Sequence, residues 1–303
     1  SRTQLRYVQQ VRYKPGRRCL VECQFVNDLS PNRFPGDRDE SAMFAIGKIR
    51  CKGLDRRTPE LHEKLWQSGF DRRCVVRVPR FLGYIPSINL WFQERIEACA
   101  VTPDSGTALA THRNVARALA GLHRCGIEVD RIHTLHDEFS ILCRRLEEVV
   151  RLVPRLYHDV QVILAFCESL VGSMKSVRPV LIHRDFYFDQ VLSAGRQTVI
   201  LDLDLAAMGP AELDAGNYIA HLLEYAVRVP AAREYCQEAA SVFAQGYLEA
   251  NPDADPAALR FLTILSLARH IWLSTMLDGR AHTTPQLIDM LLSTAGDLQR
   301  SVG

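Results

Sequence analysis

The chain has 303 residues, a formal net charge of +2, 47% hydrophobic and 24% charged residues. That is the profile of an ordinary globular protein, large enough for one big or two modest domains. It contains no run of about 18 uninterrupted apolar residues, so no membrane span is expected, and Arg2 and Arg6 interrupt any apolar leader at the start. Nine cysteines, an odd number with no CxxC pair, argue against structural zinc and against a disulfide framework. They are expected to serve mostly as small core residues of a cytoplasmic protein.

In chain order, the first ~100 residues have strand character. Gln4–Tyr13 and Arg18–Phe25 are expected as strands joined by Lys14-Pro15-Gly16-Arg17, where Pro-Gly suits the centre of a type II turn. The polar stretch from Asn27 to Ser41 is expected as a mobile loop. Met43–Cys51 follows as a third strand. Thr58 is expected to cap a helix with Pro59 at its first position, running to about Ser68 and stopping at Gly69. Val75–Tyr84 and Ile88–Arg95 complete the sheet. The rest is expected to be mostly helical: Thr107–Cys125, then 134–151, 154–173, 212–228, 231–250, 256–277 and 284–300. No repeat with a period of roughly 20–50 residues is present, which excludes a solenoid.

Charge is unevenly placed. Residues 1–97 carry 19 Lys/Arg against 11 Asp/Glu, and residues 98–303 carry 18 against 24. A basic first part suits a polyphosphate, and an acidic second part suits a metal or a cationic substrate. The arginines form no dense stripe, so nucleic acid is not expected as a partner.

Chemistry concentrates in Val180–Asp214, VLIHRDFYFDQVLSAGRQTVILDLDLAAMGPAELD. The apolar run Val180-Leu181-Ile182 delivers His183-Arg184-Asp185, and Val199-Ile200-Leu201 delivers Asp202. Two short buried strands that each end near an aspartate can present two carboxylates at one mouth. Phosphoryl transfer needs such a pair, one to orient a hydroxyl and one to hold Mg²⁺ on nucleotide phosphates. If the segment after Asp202 is extended, Asp204 points to the same side. Asp214 is expected to tie the loop to the following helix, and His183 to bond nearby backbone.

These motifs carry a resemblance to the aminoglycoside phosphotransferase and choline kinase group of kinase-like small-molecule kinases. The group's first motif, His-Gly-Asp followed by four residues and Asn, corresponds to His183-Arg184-Asp185 and Gln190, with Arg replacing Gly and Gln replacing Asn. Its second corresponds to Leu201, Asp202, Ala206, Gly209 and Asp214. The resemblance implies an α+β, bilobal protein-kinase-like fold, with a small β-rich nucleotide-binding lobe over 1–96 and a larger, mainly helical catalytic and substrate-binding lobe over 97–303. It implies ATP and Mg²⁺ as cofactors and a small-molecule hydroxyl as acceptor: an aminoglycoside, a sugar or an amino alcohol.

By the same resemblance Asp185 orients the acceptor hydroxyl and takes its proton. Asp202 and Gln190 hold Mg²⁺, with Asp189 as an adjacent alternative to Gln190. Lys48, flanked by apolar strand residues, positions the α/β-phosphates and pairs with Glu60 or, failing that, Glu63. Gln93, Glu94, Arg95 and Ile96 join the two lobes and meet adenine through their backbone. No Gly-rich phosphate loop or Walker sequence is present, and the turn at Lys14–Arg18 occupies the corresponding early position. That absence, with the Gln at position 190, motivates the rival reading of a non-catalytic kinase-like nucleotide-binding module. The acceptor is expected to meet the helices after Asp214, where Asn217, His221, Glu224, His270 and Trp272 are available.

Overall fold

The computed structural model describes residues 3–27, 43–174 and 178–302. The chain divides into two compact units. One reaches to Ala98 and takes in Val199–Leu201; the other comprises Cys99–Thr198 and the residues from Asp202 onward.

The first unit is built on a five-stranded sheet. Its strands are β1 (Thr3–Lys14), β2 (Arg18–Asn27), β3 (Met43–Arg50), β5 (Phe81–Ile85) and β6 (Leu90–Glu94), and β4 (Val76–Arg77) is a short additional strand. The sheet order is β1-β2-β3-β6-β5 with antiparallel neighbours. The β1–β2 turn closes with Arg17 N–H donating to Lys14 O at 3.1 Å. Gly16 sits at φ +65°, the left-handed conformation a type II turn requires. The single strand expected over Val75–Tyr84 is broken by Pro79, whose missing N–H interrupts a ladder. Apart from Asn27, which ends β2, the loop expected over 27–41 lies outside the described residues.

Helix α1 (Arg57–Gln67) starts before Thr58. Asp55, not Thr58, captures the free end: its carboxylate accepts from Thr58 N–H at 3.2 Å and from Thr58 Oγ1 at 2.7 Å. A carboxylate two residues outside the helix is the stronger acceptor for an orphan amide.

The second unit is helical around short strands. It contains β7 (Cys99–Ala100), α2 (Leu109–His123), α3 (Leu135–Leu152), α4 (Tyr157–Ser173), β8 (Val180–Ile182), β9 (Val191–Ala194), part of β10 (Gln197–Ile200), β11 (Ala207–Gly209), α5 (Glu212–Arg228), α6 (Arg233–Ala250), α7 (Pro256–Met276) and α8 (Thr284–Val302). Helix α3 opens with a capping box: Thr134 Oγ1 accepts from Asp137 N–H at 3.1 Å, and Asp137 Oδ2 accepts from Thr134 N–H at 2.8 Å. Its apolar stripe (Leu142, Leu146, Val149) packs into one core with Ile163, Leu265 and Ile271. Gly216 lets α5 approach α7 closely, because a Cβ there would lie 2.7 Å from the backbone of Leu262 and Thr263. Strands β7, β9 and β11 escape the sequence pattern, since runs of two to four residues carry too little alternation to register.

Helix α2 is tied to α5 and α6 through His112. Its Nδ1 lies 2.8 Å from Tyr218 Oη and its Nε2 3.0 Å from Tyr235 Oη. Tyr235 Oη donates to Thr107 O, so it accepts from His112 Nε2–H and leaves Nδ1 to accept from Tyr218. Tyr218 in turn stacks on Phe243 of α6 at 4.1 Å.

All nine cysteines are free thiols, but only Cys23, Cys167 and Cys236 are buried. The expectation that most serve as core residues is therefore corrected. Cys51 and Cys99 are exposed, in a turn and on a two-residue strand that shield nothing. Burial pushes the Cys167 thiol up to about 12, which keeps it protonated and inert. No helix among the described residues is long and apolar enough to cross a membrane.

Candidate active site

The two acidic motifs leave the same end of one ladder. β8 and β11 pair antiparallel, with Ile182 opposite Ala207 and Val180 opposite Gly209. The chain leaving β8 after Ile182 runs into His183-Arg184-Asp185, and the chain entering β11 at Ala207 comes from Asp202-Leu203-Asp204. Antiparallel pairing thus brings both aspartate-bearing segments to one edge, although 17 positions separate Asp185 from Asp202 in sequence.

Asp214, fully buried in the first turn of α5, clamps the loop that carries Asp185. Its Oδ2 accepts from His183 N–H at 2.5 Å and its Oδ1 from Arg184 N–H at 2.7 Å. Charge-assisted bonds from both amides fix the backbone immediately before Asp185. His183 completes the turn, its Nδ1 accepting from Asp185 N–H at 3.3 Å. Behind Asp214 a buried relay continues. His123 Nε2 lies 3.1 Å from Asp214 Oδ2, His123 Nδ1 lies 2.9 Å from Tyr247 Oη, and Asn251 Nδ2 donates to Tyr247 Oη at 3.1 Å. Donors and acceptors match along the chain when His123 carries its proton on Nε2 and Tyr247 donates to Nδ1.

The far side of the loop is held by Asn217, whose Nδ2 donates to Phe186 O at 2.9 Å. Asn217 Oδ1 accepts from Arg269 at 2.5 Å, and Arg269 also donates to Glu138 at 3.3 Å. His133 Nε2 lies 2.8 Å from the other Glu138 oxygen. Burial pushes the Glu138 carboxyl up, but His133, Arg269 and Arg184 together hold it below the usual range. Arg184 stands at φ +69°, which explains why a glycine suits this position in the related motif. Burial lowers its pKa while Glu138 opposes that shift.

Asp202 also adopts a left-handed backbone, φ 54° and ψ 55°, and caps a 3₁₀ turn over Leu203–Leu205. The segment is therefore not extended, and the expectation that Asp204 shares a side with Asp202 fails, because a turn rotates successive side chains where a strand alternates them. Arg131 holds this turn by donating to Asp204 O at 3.1 Å. Gln190 closes another 3₁₀ turn, over Phe188–Gln190, with its N–H on Tyr187 O at 2.9 Å. Among the described residues no group of three or more His, Cys, Asp and Glu side chains could hold a metal by itself. Mg²⁺ takes hard oxygens, keeps several waters and is completed by substrate phosphates. A carboxylate and an amide oxygen, from Asp202 and Gln190, fit it as donors.

A model of the phosphotransferase enzyme family (APH) matches residues 59–262. The chain belongs to that family. No curated protein matches it. Among solved structures, a choline kinase from Cryptosporidium parvum Iowa II is 14% identical with a TM-score of 0.64, over 97% of this chain and 90% of that one. A spectinomycin phosphotransferase in complex with ADP and spectinomycin is 13% identical with a TM-score of 0.62, over 96% and 93%. A thermostable aminoglycoside phosphotransferase mutant, in ternary complex with AMP-PNP and hygromycin B, is 12% identical with a TM-score of 0.61, again over 96% and 93%. The fold is thus the mixed α+β, kinase-like one of these enzymes.

In the first unit, Lys48 is 6% exposed with its ammonium 5.2 Å from the centre of the Trp91 ring. Glu60 and Glu63 are exposed on α1. Gln93 is buried in β6 between Ile46 and Phe81, and its Oε1 has no hydrogen-bond partner. Glu94 pairs with Arg72 at 2.6 Å and Arg77 at 3.0 Å, and Arg95 with Glu22 at 3.1 Å and Glu97 at 3.0 Å. The amides of Glu94 and Arg95 already donate to Arg80 O and Phe44 O. A ring recognised here would therefore use the carbonyls and the backbone of Ile96.

Of the residues expected to meet the acceptor, Asn217 is committed to Phe186. Glu224 takes Arg228 at 3.0 Å and Arg280 at 3.8 Å. Trp272 donates to Glu148 at 2.7 Å under the Arg145 guanidinium. His221 stacks on Tyr187 at 4.3 Å and meets His270 edge-on at 4.4 Å. Sequence reasoning missed Glu138, Arg269, Tyr247 and Asn251. Each lies on a helix or just past one, with no motif around it.

Proposed function

We propose that this phosphotransferase moves the γ-phosphate of ATP to a hydroxyl of a small molecule. The observation that carries this reading is Asp185, placed on a loop clamped by Asp214 and Asn217, at the ladder end from which Asp202 also emerges. A carboxylate held by rigid backbone can orient a hydroxyl and accept its proton late in a loose transition state with no special pKa. The acceptor oxygen bonds to the γ-phosphorus, the bond from that phosphorus to the bridging oxygen breaks, ADP leaves, and the hydroxyl proton passes to Asp185. Mg²⁺, when bound, neutralises charge on the transferring phosphates, and Asp202 and Gln190 would hold it. Lys48 is assigned to the nucleotide phosphates and Glu60 to Lys48, and the backbone from Gln93 to Ile96 to the adenine ring, on the family's pattern.

A panel of hydroxylated metabolites, amino alcohols and aminoglycosides assayed for ADP release tests the reading. Acceptor-dependent ADP release is expected from the wild type and not from Asp185→Ala. Release that is indifferent to every acceptor would overturn transfer to a small-molecule hydroxyl.

A further inference from the structure

A cavity of about 590 Å³ opens within the second unit on the side of β8 and α5 that faces Asn251 and the end of α2. Its size is that of a small-molecule site, and no step proposed above uses it. Its walls are apolar where Ile127, Val180, Leu181, Met208 and Ala211 line it. The charges at its edge are mixed and exposed: Arg124 and Arg178 against Glu128 and Asp253. Arg124 is already committed, donating to Ala250 O at 2.8 Å.

The buried charge in the wall is different. Glu212 is 1% exposed. Its Oε1 accepts from Asp255 N–H at 2.9 Å, and its Oε2 has no hydrogen-bond partner. A buried carboxylate oxygen without a donor keeps its full desolvation penalty, and an N–H from a ligand would relieve it. Two more wall residues belong to the relay behind Asp214: His123 bonds Asp214 directly, and Asn251 reaches it through Tyr247 and His123.

We propose that this cavity is a second ligand site, taking a small organic ammonium ion with an apolar body, its charge on Glu212 and its body along Ile127, Val180 and Met208. Its occupant is felt at the Asp185 loop, because ordering His123 and Asn251 also orders Tyr247 and Asp214, on which the His183 and Arg184 amides hang.

The test uses phenethylammonium as probe and 2-phenylethanol as its neutral counterpart, with calorimetry on the full chain. Phenethylammonium should bind at least about tenfold more tightly than the alcohol, since only the cation meets the Glu212 carboxylate. Glu212→Gln, which keeps the acceptor for Asp255 N–H, should erase that preference. Ile127→Trp, at a half-buried wall position, should abolish binding of both probes. Hydrogen exchange at the His183 and Arg184 amides should slow on binding, a readout independent of catalysis. Absence of binding, equal binding to wild type and both variants, displacement of the probe by ATP, or unchanged exchange at the two amides would each overturn the proposal.

Discussion

His123 and the backbone amide of His183 share one oxygen of Asp214, at 3.1 and 2.5 Å, inside a fully buried pocket. That shared oxygen couples the end of α2 to the loop carrying Asp185, and with Oδ1 on Arg184 N–H the carboxylate has three donors. Asp214→Asn is nearly isosteric, but it turns one acceptor into a donor facing one of those N–H groups. The expected cost is about 1–3 kcal/mol of stability for the group left unsatisfied. Misplacement of the loop should lower kcat by about 10²-fold with little change in nucleotide KM. Urea unfolding and steady-state kinetics check both; a variant with wild-type kcat would show that the clamp does not position Asp185.

Asp185 itself should behave differently. Removing a group that handles a proton in the transition state lowers turnover by on the order of 10²-fold or more while leaving nucleotide affinity intact. Asp185→Ala should therefore bind ATP like the wild type in calorimetry and fail in single-turnover transfer. Near-normal transfer on a competent acceptor would remove Asp185 from the mechanism.

Nucleotide binding should depend on metal. With Mg²⁺, ATP at about 100 times its Kd should stabilise the fold by about 2.7 kcal/mol, seen as a rise in Tm. Chelation of Mg²⁺ should reduce that rise, and Asp202→Ala should remove most of the metal-dependent part. Gln190→Asn tests whether the shorter amide serves equally. A Tm indifferent to metal in the wild type would favour the rival non-catalytic module and detach Asp202 and Gln190 from Mg²⁺.

Much of this architecture was legible in the sequence where periodicity is long or punctuation is strong. Helix α5 falls on the expected 212–228 because a Pro-Ala entry and a full apolar stripe mark it, and Pro-Gly sets the β1–β2 turn. The aspartates were legible because short apolar runs deliver them. The support behind them was not. Glu138 meets Arg269 across 131 positions and His123 meets Tyr247 across 124, and no local pattern records a pairing that only tertiary packing creates. The left-handed turn at Asp202 was hidden for the reverse reason: the strand pattern before it continues smoothly through Leu201 and Leu203, and a single non-glycine residue gives no sign of φ above zero.

Acid should destabilise the fold through buried neutral histidines. Burial pushes His112 down to about 4. Burial, then Arg269, Arg280 and Arg228, push His270 down to about 3, and neither of its ring nitrogens has a hydrogen-bond partner. Each takes up a proton in the unfolded chain near the ordinary value of about 6.5 but not in the fold. The unfolded state therefore binds more protons between those limits. Stability is full above about pH 6.5 and declines as pH falls toward 4 and 3, by up to about 1.4 kcal/mol per pH unit for each group. Urea midpoints at pH 7, 6 and 5 should fall in that order, and His270→Phe should flatten the slope by nearly one proton. An unchanged slope in that variant would mean that His270 is not buried and neutral.

Arg184 offers a backbone test of the same loop. Its φ of +69° costs a residue with a Cβ about 1–2 kcal/mol, whereas glycine is free of that clash but loosens the unfolded chain by about 0.5–1 kcal/mol. Arg184→Ala and Arg184→Gly both lose the attraction of the guanidinium for Glu138, so the difference between them isolates the backbone. Gly should be the more stable of the two by about 1 kcal/mol in urea unfolding, the order opposite to that expected at an ordinary position. Both variants should retain the Asp214 bond to the residue-184 amide, because that bond is made by the backbone. An alanine variant as stable as the glycine one would mean that the chain does not turn left-handed immediately before Asp185.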